Sequence, residues 1–240
     1  MIKFTIKFIL ILIIILIGFG VCLFFPLLKN SIRKKSISLW SKSLLKVLSV
    51  NVHANFNFSN DEKFFFVCNH ISWIDILVIN SLHPSVFIAK NSVRKWPIIG
   101  LMSKLAGTIF LSRTSKRSLQ DSFVKIKKSI EYSSILVFPE SYASIGRSVS
   151  RFHSNFFQVP IDLKIAATPL SIQYLKNNQF TDAPAYVGRD NLMYSLYKVI
   201  KENGFDVYVQ FSKKLLPHEM NRKQLAAKAE ELIKSHLNQG

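Results

Sequence analysis

One short segment of the chain combines an imidazole with a carboxylate at a spacing that suits acid–base chemistry. Residues 69–75 read Asn-His-Ile-Ser-Trp-Ile-Asp, which places His70 five positions before Asp75. An imidazole titrates near neutral pH, and a carboxylate that accepts its Nδ1–H leaves Nε2 free to take a proton. A helical turn after the segment would bring Asp75 back to that distance. The pair is therefore a candidate general base, although a lone His–Asp pair is more often a structural contact.

The elements that must position this pair are strands and helices in alternation. The apolar run Phe64–Cys68 predicts a buried strand directly before the pair, and α/β proteins place their sites at the carboxyl ends of such strands. Further β-rich runs predict strands at Val86–Ala89, Thr108–Leu111, Ile135–Phe138, Thr168–Tyr174 and Val207–Phe211.

Three stretches between and after these strands predict helices. The first carries Leu119, Phe123, Ile126 and Ile130 on one face, and the others are Leu192–Glu202 and Asn221–Leu237. Alternation of strands and helices predicts the α/β class, with a mixed, mainly parallel sheet covered by helices. We expect one such domain over residues 53–240.

An uncharged, almost wholly apolar run occupies residues 8–28. As a helix it would be about 32 Å long, enough to cross the hydrocarbon core of a membrane. A cleaved signal peptide is the alternative, but the run is too long for one and no small-residue cleavage site follows it. We therefore expect an N-terminal membrane helix.

A second helix is predicted over residues 31–48, with an apolar face and a basic remainder. The apolar face consists of Ile37, Trp40, Leu44, Val47 and Leu48. Such a helix is expected to lie at a lipid interface, with packing on the domain as the alternative. We therefore predict a membrane anchor over residues 1–52. The basic cluster after the apolar run places the remaining domain on the cytoplasmic face, and a hairpin dipping into one leaflet stays open.

The charge of the chain is strongly positive and unevenly distributed. Lys plus Arg number 32 and Asp plus Glu number 14, and the first carboxylate is Asp61. Such an excess needs an anionic partner, either nucleic acid or an anionic membrane face. Because the basic residues flank the apolar run and no nucleic-acid-binding module is recognised, anionic membrane lipids are the predicted partner. The two cysteines, Cys22 and Cys68, form no disulfide framework and no metal-ligand spacing.

Further segments support an interpretation as an enzyme by their order along the chain. Ala89-Lys90 precedes Trp-Pro-Ile-Ile-Gly at 96–100 and Gly-Thr-Ile-Phe-Leu-Ser-Arg at 107–113, followed by Phe-Pro-Glu-Ser-Tyr-Ala-Ser at 138–144 and Ala-Thr-Pro-Leu at 167–170. Together with residues 69–75 they resemble the four blocks of the glycerophospholipid acyltransferases, nearest to the PlsC-type 1-acyl-sn-glycerol-3-phosphate acyltransferases. The resemblance covers residues 69–174 and extends more loosely to 222–226.

The resemblance implies roles for the residues that match the blocks. His70 would deprotonate a glycerol hydroxyl that attacks an acyl thioester, and Asp75 would orient His70 and stabilise its protonated form. Arg113 matches the phosphate-binding position, and Glu140 matches a glutamate that shapes the acceptor site. The remaining substrate-binding residues implied are Asn69, Ser72, Lys90, Ser141 and Arg151.

Two segments depart from the family pattern. Ser141 and Tyr142 stand where the third block has Gly-Thr, and Asn155 replaces a later glycine. Glycine allows a tight turn and close approach of a ligand, so Ser141 is expected to narrow or reshape the acceptor pocket. Asn155 tolerates a positive φ, so that turn is expected to survive. A different acceptor, reduced activity and a lipid-binding relative without turnover all stay open.

The resemblance implies a membrane-bound O-acyltransferase of phospholipid biosynthesis. It would move a fatty acyl group from acyl-CoA or acyl carrier protein to the hydroxyl of a lysophospholipid such as 1-acylglycerol-3-phosphate, with no cofactor and no metal ion. A lyso-aminolipid is the alternative acceptor. A serine hydrolase is the alternative reaction, but residues 142–146 read Tyr-Ala-Ser-Ile-Gly and lack the first glycine of a nucleophile elbow.

Overall fold

A central sheet organises the chain, which is represented by a computed structural model that describes residues 2–55, 62–111, 116–188, 190–218 and 220–237. The strands in these residues are β1 Val50–Ala54, β2 Phe65–Cys68, β3 Ser85–Lys90, β4 Ile109–Leu111, β5 Ser134–Val137, β6 Ala167–Lys176, β7 Gln179–Phe180 and β8 Phe205–Phe211. The α-helices are α1 Ile2–Leu23, α2 Asn30–Leu48, α3 Ile74–Leu82, α4 Ile99–Leu105, α5 Lys116–Ser129, α6 Gln158–Leu163, α7 Leu192–Glu202 and α8 Arg222–Leu237. Short 3-10 helices occupy Phe25–Leu27, Asn91–Lys95 and Ser154–Phe157.

The sheet has the order β1-β8-β6-β2-β5-β3-β4, with β7 paired to β6. Neighbouring strands are parallel except that β8 and β7 run antiparallel to β6. The predicted mixed, mainly parallel sheet is therefore confirmed. All four residues of β2 are buried, because helices cover both faces at the sheet centre.

The two faces of the sheet have separate apolar layers. On one face, side chains of α2, α3 and α7 such as Leu48, Ile79 and Val199 belong to one buried apolar cluster with side chains of the sheet. On the other face, side chains of α5 and α8 such as Ile126 and Ile233 pack on the sheet. Because both faces are covered, the site must open at an edge where strands end.

The predicted strands are observed with ends shifted by no more than two residues, whereas β1 and β7 were not predicted. The strand β1 crosses the predicted boundary between anchor and domain at residues 52 and 53. It pairs in parallel with β8, from Val50 opposite Phe205 to Ala54 opposite Val209. This edge strand is short and reads Val-Asn-Val-His-Ala, so it lacks the continuous apolar run that marks a buried central strand such as β2.

The N-terminal helix α1 differs in its limits from the predicted apolar helix at 8–28. It runs through Lys3 and Lys7 and ends at Leu23, before a 3-10 turn that contains Pro26. Proline lacks an N–H and its ring clashes with the preceding turn, so the α-helix stops short of it. In the described part of the chain, one helix, Lys3–Leu23, is long and apolar enough to cross a membrane.

Helix α1 is docked along the protein by one face. Ile11 is buried in the domain core, and the indole N–H of Trp40 donates to the Ile14 carbonyl over 3.0 Å. Near the start of α1, the Lys7 ammonium donates to the Ser49 hydroxyl at 2.9 Å and to the Asn203 side-chain oxygen at 3.0 Å. The opposite face of α1 is apolar and exposed.

The second helix, α2, follows the predicted limits within one residue, but its surroundings differ from a lipid interface. Leu44, Leu45 and Leu48 are buried in the core that α2 shares with α3. The expectation that this apolar face contacts lipid is corrected, because α1, α3 and the sheet supply the apolar surface on which it packs. The alternative weighed for α2, packing on the domain, describes it better.

Candidate active site

The Asp75 carboxylate is fixed in the first turn of α3 by donors on both oxygens. Its Oδ2 accepts hydrogen bonds from the backbone N–H groups of Ile71 and Ser72 at 2.8 and 2.9 Å. Asp75 is fully buried, and α3 follows β2 after a short turn. Peptide N–H donors stabilise a buried carboxylate anion, and a negative charge is also favourable at a helix N-terminus.

His70 is held by this carboxylate and remains accessible at its other nitrogen. Its Nδ1 lies 2.8 Å from Asp75 Oδ2, and 22% of its side chain is exposed. The imidazole stacks on the Phe138 ring at the end of β5, with the ring centroids 4.0 Å apart. Because Nδ1–H donates to the carboxylate, the neutral imidazole presents the lone pair of Nε2. The predicted geometry of a general base is thus present.

Asn69 and Ser72, predicted to bind substrate, have their side chains engaged with the backbone. The Asn69 amide donates to the Ile172 carbonyl at 3.0 Å, and its oxygen accepts from the Ile172 N–H at 2.8 Å. The Ser72 hydroxyl accepts from the N–H of Ile74 at 3.2 Å at the start of α3. Both side chains are buried, so the structure assigns them to building the turn that carries His70.

Glu140 connects the loop after β5 to the same turn. One carboxylate oxygen accepts from the His70 N–H at 2.9 Å, and the other accepts from the Ser150 N–H at 2.8 Å. Burial raises the pKa of this fully buried carboxyl above its usual value, although both backbone hydrogen bonds act in the opposite direction. Glu140 therefore shapes the site from behind His70 by holding the loop against it.

The two departures from the family pattern have different backbone consequences. Ser141 adopts φ 67°, the left-handed region that glycine enters without strain, and its N–H donates to the Phe138 carbonyl at 3.0 Å. The turn is therefore kept with serine in the glycine position. Asn155 lies in the 3-10 helix Ser154–Phe157 without a positive φ, so the expectation of a preserved glycine turn there is corrected. A right-handed helical turn needs no glycine.

The three basic residues predicted to bind substrate lie at different places in the chain and do not form one cluster in the described structure. Lys90 is the last residue of β3 and is exposed at the edge of the sheet where β2 and β5 also end. Arg113 lies outside the described residues. Arg151 is exposed beside α8, where it lines a groove with Glu230 and Lys234.

Sequence reasoning missed Tyr174, which reaches the same carboxylate from β6. Its hydroxyl donates to Asp75 Oδ1 at 2.6 Å, across a separation of 99 residues. Within an apolar strand a tyrosine is an ordinary core residue, and no local pattern shows that its hydroxyl faces a carboxylate. Tyr174 follows Ile172, the Asn69 partner, by two residues and so lies on the same side of the strand, but this register is visible only in the structure.

The arrangement can take up a proton at His70 Nε2 and stabilise the resulting imidazolium through Asp75. The anion is held by hydrogen bonds on both oxygens, so it does not need to move as the proton is transferred. This is the chemistry required to activate a hydroxyl group as a nucleophile.

Comparison with known proteins identifies related sequences. A family model described as Acyltransferase matches residues 49–173. A lyso-ornithine lipid O-acyltransferase of Pseudomonas aeruginosa is 25% identical over 203 residues, which cover 85% of this chain and 78% of that protein. A 1-acyl-sn-glycerol-3-phosphate acyltransferase of Neisseria gonorrhoeae is 28% identical over 145 residues, which cover 60% of this chain and 56% of that protein.

A solved structure has the same fold over nearly the whole chain. It is the crystal structure of the 1-acyl-sn-glycerophosphate acyltransferase PlsC from Thermotoga maritima, which superposes with a TM-score of 0.72. The two sequences are 21% identical, and the match covers 99% of this chain and 94% of the other. The likeness includes the N-terminal helices as well as the sheet.

Proposed function

Because the chain belongs to the acyltransferase family, we propose that it transfers a fatty acyl group from an acyl thioester to the free hydroxyl of a lyso-lipid, with His70 as general base. The observation that carries this mechanism is the His70 Nδ1–Asp75 Oδ2 contact of 2.8 Å, which leaves Nε2 accessible. The family acts on lyso-lipids in phospholipid biosynthesis. The donor is proposed to be acyl-CoA or acyl carrier protein.

In the proposed reaction one proton moves from the acceptor hydroxyl to His70 and then to the leaving sulfur. Nε2 of His70 takes the hydroxyl proton while the acceptor oxygen attacks the thioester carbonyl carbon, forming the new C–O bond. The tetrahedral intermediate collapses with cleavage of the C–S bond, and the leaving sulfur takes the proton from the His70 imidazolium. Asp75 stays ionised throughout and stabilises the imidazolium. The enzyme itself forms no covalent intermediate.

The names of the relatives indicate two candidate acceptors. In sequence, the relatives named as acylating 1-acyl-sn-glycerol-3-phosphate match 60% of this chain and those named as acylating a lyso-ornithine lipid match 45 to 88%, whereas the solved 1-acyl-sn-glycerophosphate acyltransferase matches 99% in structure. The lyso-ornithine lipid relatives therefore add a lyso-aminolipid as a second candidate beside 1-acylglycerol-3-phosphate. Ser141 stands in place of a glycine directly after Glu140, where we expect it to reshape the acceptor pocket and so to influence which acceptor binds.

The decisive experiment is an acceptor panel with the purified full chain in detergent. Acyl-CoA and acyl carrier protein donors are combined with lysophosphatidic acid and a lyso-ornithine lipid, and products are identified by mass spectrometry. His70→Ala is expected to lose about 10²- to 10⁴-fold in activity, the usual contribution of a general base. His218→Ala is the control, because His218 is exposed and lies outside the site.

The outcomes separate the competing functions. Full activity of His70→Ala contradicts the proposed mechanism. Thioester cleavage without an acceptor indicates a hydrolase, and lyso-lipid binding without turnover from either donor indicates a lipid-binding relative. A product with only one of the two acceptors identifies the substrate class.

The exposed side of α1 supports membrane attachment within one leaflet. Side chains such as Ile6, Ile13 and Ile17 are 46 to 61% exposed, whereas Ile11 on the opposite side is buried. Phe4 contacts Tyr197 of α7, with ring centroids 5.6 Å apart, and the other end of α1 packs on α4. A helix docked at both ends cannot span a bilayer without drawing the domain into it. We propose that the domain attaches to the cytoplasmic leaflet, because anionic lipids of that leaflet attract basic residues such as those that follow α1.

A further inference from the structure

The tyrosine that reaches the catalytic carboxylate comes from outside the segment that contains the pair. Three donors to Asp75 Oδ2, including His70 Nδ1, belong to residues 70–72. The described donor to Oδ1 is the Tyr174 hydroxyl, at 2.6 Å. The carboxylate is therefore held between its own turn and a neighbouring strand of the sheet.

Tyr174 is itself rigidly placed. It is fully buried on β6, and its ring meets Phe205 edge-on with centroids 5.5 Å apart. Burial, reinforced by the nearby Asp75 charge, raises the pKa of Tyr174 well above its usual range. The hydroxyl consequently stays protonated at working pH and can only serve Asp75 as a donor.

We propose that Tyr174 is a positioning residue that fixes the orientation of the Asp75 carboxylate and reduces the negative charge that Oδ2 presents to His70. The inference rests on the proposed role of His70 as general base. By bonding Oδ1, the hydroxyl sets the rotation of the carboxylate so that Oδ2 stays aimed at Nδ1. It also draws electron density away from Oδ2, which makes the imidazolium less favourable than it would be beside a carboxylate without this bond.

The charge on Asp75 determines how tightly His70 holds the proton, and this affects both proton transfers of the reaction. A base that holds its proton too tightly returns it slowly to the leaving sulfur, and a base that holds it too weakly does not take it. Tyr174 acts on this balance through Asp75 without touching the reacting atoms. Its effect should therefore be visible in the pH dependence of the reaction as well as in its rate.

The test is Tyr174→Phe, which removes the hydroxyl and keeps the ring packed on Phe205. We expect kcat to fall about tenfold, about the value of one hydrogen bond to a charged group, with little change in KM for either substrate. The acidic limb of the pH–rate profile is expected to move to higher pH by about half a unit or more. The freer carboxylate charge acts in that direction, because it stabilises the imidazolium of His70.

A matched control separates positioning from packing. Phe205→Leu loosens the same core beside Tyr174 and leaves the hydroxyl in place, so it should lower the Tm without moving the limb. An unmoved limb in Tyr174→Phe, with activity lost only in proportion to the unfolded fraction, overturns the proposal.

A measurement without turnover keeps this inference separate from the proposed function. NMR titration of the His70 ring in the resting protein should show its midpoint higher in Tyr174→Phe than in the unaltered chain. If that variant does not fold, the Tyr174 Cζ resonance of the unaltered chain is followed while His70 titrates, and it should respond through Asp75. Absence of that response contradicts the inference, whereas an active His70→Ala contradicts only the reaction mechanism.

Discussion

At the scale of single residues, two buried carboxylates support His70 in different ways. Asp75 accepts from the imidazole side chain, whereas Glu140 accepts from the His70 backbone N–H. The first controls the direction and charge of the ring, and the second holds the main chain that carries it. The sequence motifs contain both acids, but only the geometry distinguishes the acid that contacts the imidazole from the acid that supports the main chain of His70.

Replacement of Glu140 tests the supporting role. In Glu140→Gln the amide group can accept from only one of the two N–H donors of His70 and Ser150. The unpaired buried donor should lower the free energy of unfolding by about 1–3 kcal/mol, as measured by urea denaturation. Activity should fall because the loop no longer holds His70 firmly. Glu231→Gln is the control, since Glu231 is exposed on α8, and an equal loss there would contradict the prediction.

The pH dependence of this effect has a definite sign. Burial raises the pKa of Glu140 in the folded chain, so the folded state takes up its proton at higher pH than the unfolded state does. The contribution of Glu140 to stability is therefore fully present below the unfolded pKa of 4.5 and is lost as the pH rises through the folded value. As the pH falls toward 4.5, the unaltered chain should gain stability relative to Glu140→Gln.

At the residue scale the sequence predicted that His70 and Asp75 lie together, but it did not predict their surroundings. His70 and Asp75 are five positions apart, so one helical turn suffices to bring them together and the motif carries that information. The contacts of Asn69 with Ile172 and of Tyr174 with Asp75 join β2 and α3 to β6, about a hundred residues further along the chain. Such contacts depend on strand order, which periodicity does not determine.

At the scale of elements, the crossing of α1 and α2 depends on one glycine. A Cβ added at Gly18 would lie 2.2 Å from the Trp40 indole nitrogen, which donates to the Ile14 carbonyl. The indole thus lies directly over the glycine backbone. The apolar composition of α1 predicted a membrane helix, and nothing in that composition showed that one face would be docked on the protein.

Gly18→Val should displace the indole and loosen α1 from α2. Loss of the hydrogen bond and of the surrounding contacts is expected to lower stability by about 2–3 kcal/mol, measured as unfolding in detergent. Gly20→Val is the matched control, because a Cβ at Gly20 meets nothing within 4 Å. The same valine there should leave stability unchanged or slightly higher, since glycine is a poor helix former. Equal losses of stability in the two variants would show that the contact of Gly18 with Trp40 does not stabilise the folded chain.

At the scale of the whole molecule, the exposed apolar residues of α1 and a group of lysines share one side of the sheet. Helix α1 meets α7 through Phe4 and Tyr197, and both helices leave side chains exposed, among them Ile6 of α1 and Tyr194 of α7. Lys3, Lys7 and Lys201 line a groove of about 490 Å³ between these two helices. Helices α5 and α8 cover the other face of the sheet. If the positive charge of the chain attracts anionic lipid as proposed, we expect it to act most directly where apolar and basic groups occur together.

This asymmetry predicts which lysines bind anionic lipid. Lys3→Gln combined with Lys201→Gln should weaken binding to phosphatidylglycerol vesicles by about 2 kcal/mol, since each basic residue near such a surface contributes about 1 kcal/mol. Binding to phosphatidylcholine vesicles should be unchanged, and high salt should abolish the difference. Lys125→Gln combined with Lys128→Gln removes the same charge from α5, on the opposite face, and should have little effect in co-sedimentation with the same vesicles. If both pairs weaken binding equally, attraction depends on net charge alone, and the orientation of the domain on the membrane is not set by the groove between α1 and α7.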